Sequence, residues 1–551
     1  MTSLRAEEPR SFSAQGRRGA IASVHPLATQ AGLKALRDGG NAVDAAIATA
    51  VTLGVVDGHN SGLGGGCFIL IRSPEGETIA IDGREMAPGA ATADMYLRDG
   101  KAVAELSQTG PLAVAVPGAI AAYELAARKC GRKPLSRTLD EAAQLADVGF
   151  PIDRVTARNI REHRDEIARF PATAAVLLKA NGMPLVEGDR LVQADLAHTY
   201  RQLAEQGSAA LYRGAIGKQI AAWMAANGGL ITEIDLANYV ALEREPLVTT
   251  YRGHTIVGFP PPSSGGVHVG QILNILKAFD LKELQQRDPA LLIHVVAEAM
   301  KLAFADRAYW LGDSDFVPVP RGLVDNDYAK QLARRIRLDQ VTVVDDHGWP
   351  PEWDTRHFKK HTTHIAAVDE QGWWVAITTT VNTSFGSKVI VPGTGLVLNN
   401  EMDDFSAQPG MPNAFGLVGS RHNEIAPGKR PLSSMSPTLV LRDGQPVMAL
   451  GAAGGPKIIT QVVLAIIRFI DLELPLEQCL AQPRWHHQWR PDRLYVEQAL
   501  ADSVQQRLRE MGHELQVIQA AGITQVVART ADGRFLGVHD PRIPGLAAGL
   551  D

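Results

Sequence analysis

The chain has 551 residues, 45% of them hydrophobic and 21% charged, with 52 glycines and a formal net charge of -5. That length calls for several domains or one large layered unit, and the composition excludes a disordered or fibrous chain. The slightly acidic balance, without a dense Lys/Arg cluster interleaved with aromatics, excludes a nucleic-acid footprint, so no nucleic acid is expected as a partner.

The first twenty residues carry Arg5, Glu7, Glu8, Arg10, Arg17 and Arg18 without an apolar core. As written this is no secretory signal, which favours the cytoplasm; a trimmed leader would make the protein periplasmic or secreted. Residues 28–56 predict two helices, the first stopped at Asp38, Gly39 and Gly40, the second opening behind Asn41 with Asp44 in its first turn. The apolar run 45–56 is interrupted by Thr49, Thr52 and Gly54 and is too short to span a bilayer, so no membrane anchor is expected. Gly62, Gly64, Gly65 and Gly66 lead into a predicted hairpin, strands 67–72 and 78–82 about a turn at 73–76. These glycines precede a strand, not a helix, which argues against a dinucleotide fingerprint.

From 135 to about 328 the helical pattern dominates, with an amphipathic stretch at 290–308 and a break at the Pro260 to Gly266 loop. Residues 339–360 are polar, charged and proline-containing and predict an exposed linker. The period then changes to strands at 363–368 and 373–380, again at 438–441 and 446–452, followed by a helix at 457–471 and a hairpin around Asp532 and Gly533. This alternation reads as helices stacked on stacked sheets. Cys67, Cys130 and Cys479 form no CxxC pair and no even set, and are expected as buried or free thiols.

Thr362, Thr363 and His364 alone read as a strand start, because threonine favours strands. If the chain were cut after His361, however, Thr362 would carry a free α-amine of pKa about 7.7–8.0, able to accept the proton of its own hydroxyl. One residue would then be both nucleophile and base. Gly454 and Gly455 stand between a strand and a helix, where two amides at a helix N-terminus suit a developing oxyanion. The same stretch resembles a phosphate loop only loosely, since Pro456 occupies the needed glycine and Ile458 the needed hydroxyl residue. His357, His361 and His364 offer a metal alternative by spacing, but a strand pattern from Thr363 and the lack of HExxH or paired cysteines oppose it. Taken singly, Arg84 reads as a solvated hairpin arginine, Glu401 and Asp404 as turn caps, and Ser433 with Ser434 as a structural turn.

Six ordered motifs change that reading: Asp82-Gly83-Arg84-Glu85-Met86-Ala87-Pro88, the stretch 260–266, Thr362-Thr363-His364, the stretches 399–406 and 431–437, and Pro483-Arg484-Trp485-His486-His487. In these the chain resembles the gamma-glutamyltransferase family of the N-terminal nucleophile hydrolases, from about Gly19 to Asp551. The resemblance implies an α+β fold, a four-layer αββα sandwich. It also implies a proenzyme cut into a large subunit, 1–361, and a small subunit, 362–551, which stay together as one globular heterodimer. Thr362 is then the nucleophile and Thr380 orients it, with Gly454 and Gly455 as the oxyanion site. Arg84 grips the substrate α-carboxylate, Ser433 and Ser434 complete that end, and Glu401 and Asp404, assisted by Asn382, hold the α-ammonium. His486 and His487 are structural.

The implied chemistry is ping-pong transfer of a gamma-glutamyl group from glutathione or related amides to water, an amino acid or a dipeptide, with no cofactor and no metal. Two features depart from the family pattern. Phe415 stands where lidded relatives have a tyrosine, in the loop 409–419, and cannot make the hydroxyl hydrogen bond that latches their lid. The glycine loop, Ala452-Ala453-Gly454-Gly455-Pro456, lacks a serine or alanine after its glycines. The rival readings are an amidase or beta-lactam side-chain acylase with another acyl group, and an unprocessed, noncatalytic binding protein.

Overall fold

The computed structural model describes residues 11–351 and 365–551. Two seven-stranded sheets, antiparallel throughout, form its centre. One runs in the order Ser13–Gly16, Phe535–Val538, Ile523–Arg529, Gln445–Ala453, Thr438–Arg442, His254–Gly258 and Leu247–Tyr251. The other runs Leu546–Leu550, Gly19–Ser23, Ile365–Asp369, Trp374–Thr380, Gly66–Arg72, Thr78–Gly83 and Leu242–Arg244.

Side-chain alternation decides what each face meets, because successive residues of a strand point to opposite sides. Phe68, Leu70, Ala366, Val368, Trp374 and Ala376 of the second sheet meet Val257, Leu439, Leu441, Ala449 and Val527 of the first in one core between the sheets. Phe68 stacks on Phe259 there at 4.9 Å. Their alternates Ile69, Ile71, Ile365, Val375 and Ile377 face outward into a second core, under helices Pro26–Arg37, Ala42–Val56 and Ala119–Cys130. On the far side Ile256, Val440, Met448, Leu450 and Val526 pack under Gly265–Leu276, Pro289–Trp310 and Lys457–Ile470. The result is the expected αββα order.

Local chemistry placed the helix ends. Asn41 Oδ1 accepts from the amides of Val43 and Asp44 at 3.0 and 3.1 Å, while Asp44 Oδ2 accepts from Asn41 N at 2.8 Å. This reciprocal cap starts Ala42–Val56 where the sequence placed it. The three cysteines are free and buried. Among the described residues, no helix is long and apolar enough to cross a membrane.

Two expectations need correction. The stretch 135–328, read as helical, also contains the edge strands Leu242–Arg244 and Leu247–Tyr251, one in each sheet, and His254–Gly258 beside the latter. Their hairpin turns at Arg252 and Gly253, both with positive φ, and its signal, a β-branched and aromatic run before a residue pair ending in glycine, was present in the sequence. The stretch 339–360, read as an exposed linker, has no helix or strand over its described part and exposes Val343 and Trp349, but it is also tied down at several points. Val344 is buried, its carbonyl accepts from Trp489 Nε1 at 2.7 Å, and Gly348 N donates to Asp306 Oδ1 at 2.6 Å. Backbone groups of a polar segment can be satisfied by buried partners far away in sequence, which composition does not reveal. Thr362 and the histidines His357, His361 and His364 lie outside the described residues.

Candidate active site

A cavity of about 370 Å³ opens where Trp374–Thr380 and Gln445–Ala453 end. Its walls bring together Thr380, Asn382, Glu401, Asp404, Phe415, Ser433, Ser434, Gly454 and Gly455. Asn60 and His163 also line it and were not singled out in the sequence, where nothing marks them, and Met435 lines it from within the motif 431–437.

Thr380 ends its strand opposite Gly66. A Cβ on the neighbouring Gly65 would lie 1.9 Å from the Thr380 carbonyl, so the glycine cluster serves close contact of two backbones. Thr380 Oγ1 accepts from Asn382 N at 2.8 Å. Asn382 itself sits at φ 78, a left-handed position that asparagine tolerates, and its Nδ2 donates to the carbonyl of Asn400 at 3.0 Å. That bond fixes the chain just before Glu401, in the short 3₁₀ turn Glu401–Asp404.

Gly454 and Gly455 adopt φ 130 and 59 ahead of the helix Lys457–Ile470. Among the described residues, neither amide donates to an acceptor, and both belong to the cavity wall at the positive end of that helix. Across the cavity, Ser433 N donates to Pro262 O at 2.7 Å, and its carbonyl accepts from Ser264 Oγ at 2.7 Å. This is what the Pro260 to Gly266 loop does in the fold. Ser434 Oγ accepts from Arg307 Nη2 at 2.9 Å, and Arg307 Nε donates to Ser264 Oγ at 2.9 Å. Arg307 projects from the core helix Pro289–Trp310, and burial lowers its pKa to about 10 against the opposing pull of Asp404. The sequence reading missed this residue; its only signal was a charge inside a mostly apolar helix.

Arg84 differs most from its sequence-based expectation. Its guanidinium is fully buried, does not line the cavity, and is committed to Glu401 and, at 2.7 Å, to Asp404 Oδ2. Nε and Nη2 also donate to the carbonyls of Pro431 and Leu432, which directly precede Ser433. Glu85 lies 3.6 Å from the same guanidinium. Burial works against the charge on Arg84, but Glu401, Asp404 and Glu85 together hold it in place and raise its pKa. Three buried carboxylates faced by Arg84, with Arg307 acting on Asp404 alone, leave a surplus of acid. Burial therefore pushes Glu401 and Asp404 upward despite Arg84, and Glu85 up to about 7. A floor that retains protons for want of cations is suited to an incoming ammonium group.

Phe415 covers the opposite side. A Cβ on Gly455 would fall 2.6 Å from Phe415 Cδ1, so the ring lies directly on that glycine. The loop carrying it is anchored without a tyrosine hydroxyl. Asn413 Nδ2 reaches Asp404 Oδ1 at 3.3 Å, Ala414 N donates to Asp403 Oδ2 at 2.9 Å, and Gln488 Nε2 donates to Phe415 O at 3.2 Å. His486 and His487 lie behind this wall, buried and partnered with Thr460, Gln488 and Asp492.

Cephalosporin acylase from Bacillus halodurans has the same layered structure, with a TM-score of 0.87 and 27% identity over 100% of this chain and 99% of that one. The αββα core with its pocket at the strand ends thus defines an N-terminal nucleophile hydrolase. The profile of the gamma-glutamyltranspeptidase family matches residues 28–550. Over 538 residues the chain is 42% identical to the glutathione hydrolase proenzyme of Escherichia coli (strain K12), covering 97% of this chain and 92% of that one. It is 38% identical over 542 residues to the Acylase ACY 1 proenzyme of Pseudomonas sp. (strain SE83), covering 97% and 93%. This chain belongs to the gamma-glutamyltranspeptidase family.

Proposed function

We propose that the chain is a proenzyme that cuts itself between His361 and Thr362 and then acts as a glutathione hydrolase and gamma-glutamyltransferase. Residues 1–361 and 362–551 are its two subunits, held together by the sheets they share. The observation that carries the reading is the pocket itself: an acidic floor at Glu401 and Asp404, two glycine amides at a helix N-terminus, and Thr380 at the end of a central strand. Ile365, the first described residue after Thr362, pairs with Ile377 on that strand. The word proenzyme in the names of the relatives supports the processing step.

In the proposed cycle the Thr362 amine takes the proton of its hydroxyl, and the oxygen attacks the γ-carbonyl of the donor amide. Gly454 and Gly455 donate to the resulting oxyanion. Collapse expels the amine, which leaves with a proton, and a γ-glutamyl ester remains on Thr362. Water or an acceptor amine then attacks the ester and regenerates the threonine. Self-cleavage uses the same hydroxyl against the carbonyl of His361, through an ester that water opens.

Glu401 and Asp404 take the α-ammonium, which supplies the cation their surplus charge lacks. Ser433 and Ser434 take the α-carboxylate with Arg307 and Arg84 behind them, and Phe415 covers the acyl group as a lid. Asn382 keeps Glu401 in place. The acidic floor is the feature that favours an acyl group carrying an α-ammonium over one without it.

The test is a denaturing gel of purified wild type and Thr362→Ala, alongside turnover of γ-glutamyl-p-nitroanilide with and without glycylglycine. Wild type is expected as two fragments with activity raised by the acceptor, and the variant as one inactive 551-residue chain. A Thr362→Ala chain that still divides, or still turns over the anilide, would end the assignment.

A further inference from the structure

Beside the pocket lies a larger cleft of about 1110 Å³. The two share Asn60, Ala453 and Gly454 as a common wall, whereas Glu401 and Asp404 border the pocket alone. The far wall of the cleft is the helix Arg154–Glu162, and Arg154, Arg158 and Arg161 line it. Their spacing of four and three residues places them on one face. They span about 10 Å of helix axis at 1.5 Å per residue.

The charge on this face is poorly balanced. Among the described residues, Arg154 and Arg161 have no ion-pair partner, and Arg158 has only Glu162 at 3.9 Å, both side chains 56% exposed. The acids of the cleft offset them little. Asp153 accepts from Thr156 N as the cap of the same helix, and burial pushes Asp57 up to about 8, which leaves it neutral at pH 7. Glu187 is the remaining carboxylate, and the fourth arginine, Arg542, is already held by Glu497 at 2.6 Å.

We infer that this cleft is the leaving-group and acceptor site and that Arg154, Arg158 and Arg161 select peptides ending in a free carboxylate. The inference rests on the proposed acyl-transfer reading and deepens it. With the acyl group over Glu401 and Asp404 and its carbonyl at Gly454, the cleft that shares Gly454 is the space next to the bond to be broken. The departing amine enters there, and an acceptor must attack along the path by which that amine left. A dipeptide carries its carboxylate about 7 Å from its amine when extended, and a row of three cations offers more than one position to meet it.

The experiment compares kcat/KM for glutathione, whose leaving dipeptide ends in a carboxylate, with kcat/KM for γ-glutamyl-p-nitroanilide, whose leaving amine has none. It is run on wild type and on Arg158→Gln/Arg161→Gln, both sites being exposed. The glutathione-to-anilide ratio is expected to fall about fivefold in the double variant, as for exposed charge pairs. The same drop should appear in wild type between low and high salt. Arg158→Lys/Arg161→Lys should restore most of it, since point charges suffice at an open site. An unchanged ratio, or a fall that lysine does not rescue, overturns the inference. Failure of wild type to turn over the anilide at all is a different result and overturns the acyl-transfer reading beneath it.

Discussion

The pocket floor and the neighbouring cleft hold charge in opposite ways. At the floor, Arg84, Glu85 and Glu401 are at most 1% exposed, and both carboxylates pair with the one guanidinium. In the cleft, arginines stand on a helix face in contact with solvent, and Arg158 has one distant partner. Inside, burial dominates every ionisation and each group depends on its neighbours; outside, water screens the charges and they act nearly independently. Removing a group from the floor should therefore disturb folding, whereas removing one from the cleft should disturb recognition.

The largest expected effect is at Arg84. Arg84→Met strands three carboxylates around a missing cation and should cost about 3–5 kcal/mol of stability in urea unfolding, the range for breaking a buried pair. Arg158→Gln should stay within about 0.5 kcal/mol of wild type, as exposed substitutions do. Comparable losses in the two variants would erase the distinction between the regions.

A second test sharpens it through pH. Glu85 has a folded pKa of about 7, above its ordinary value, so the folded state binds the proton more tightly than the unfolded chain. Stability from this group is complete below the unfolded pKa of about 4.3, declines as pH rises toward 7, and levels off above. Glu85→Gln should abolish that decline and gain on the order of 1–3 kcal/mol over wild type at pH 8, with little difference at pH 4. Parallel stability–pH curves for the two proteins would show that Glu85 does not carry the surplus charge.

The smallest of the three concerns Gly455, next to the shared wall on the pocket side. Gly455→Ala forces a side chain into φ 59, at a strain of about 1–2 kcal/mol, and against the Phe415 ring. Beyond that loss, the displaced lid should raise KM for γ-glutamyl-p-nitroanilide and speed proteolysis between Pro409 and Gly419. If the loss of stability comes without either change, Phe415 does not cover the pocket.

Much of this protein was legible in the chain. Asn41 and Asp44 announced a helix start, the apolar, β-branched and aromatic runs at 67–72 and 373–380 announced strands, and Gly454 with Gly455 before Lys457 announced a strand-to-helix corner. These signals are local: caps, turns and period act over a few residues and survive in any tertiary setting. Six dispersed motifs then pointed to the family before any contact was known. Three things depended on tertiary structure. Residues 84, 307, 401–404, 433–434 and 454–455 converge only because two sheets stack face to face. The polar stretch after Asp339 is held by Asp306, Glu298 and Trp489, groups it meets only when folded. The role of Arg84 was decided by burial, since 317 positions separate it from Glu401. A sequence pattern can name an arginine, but desolvation by the surrounding fold determines which carboxylates it must hold and how many protons they keep.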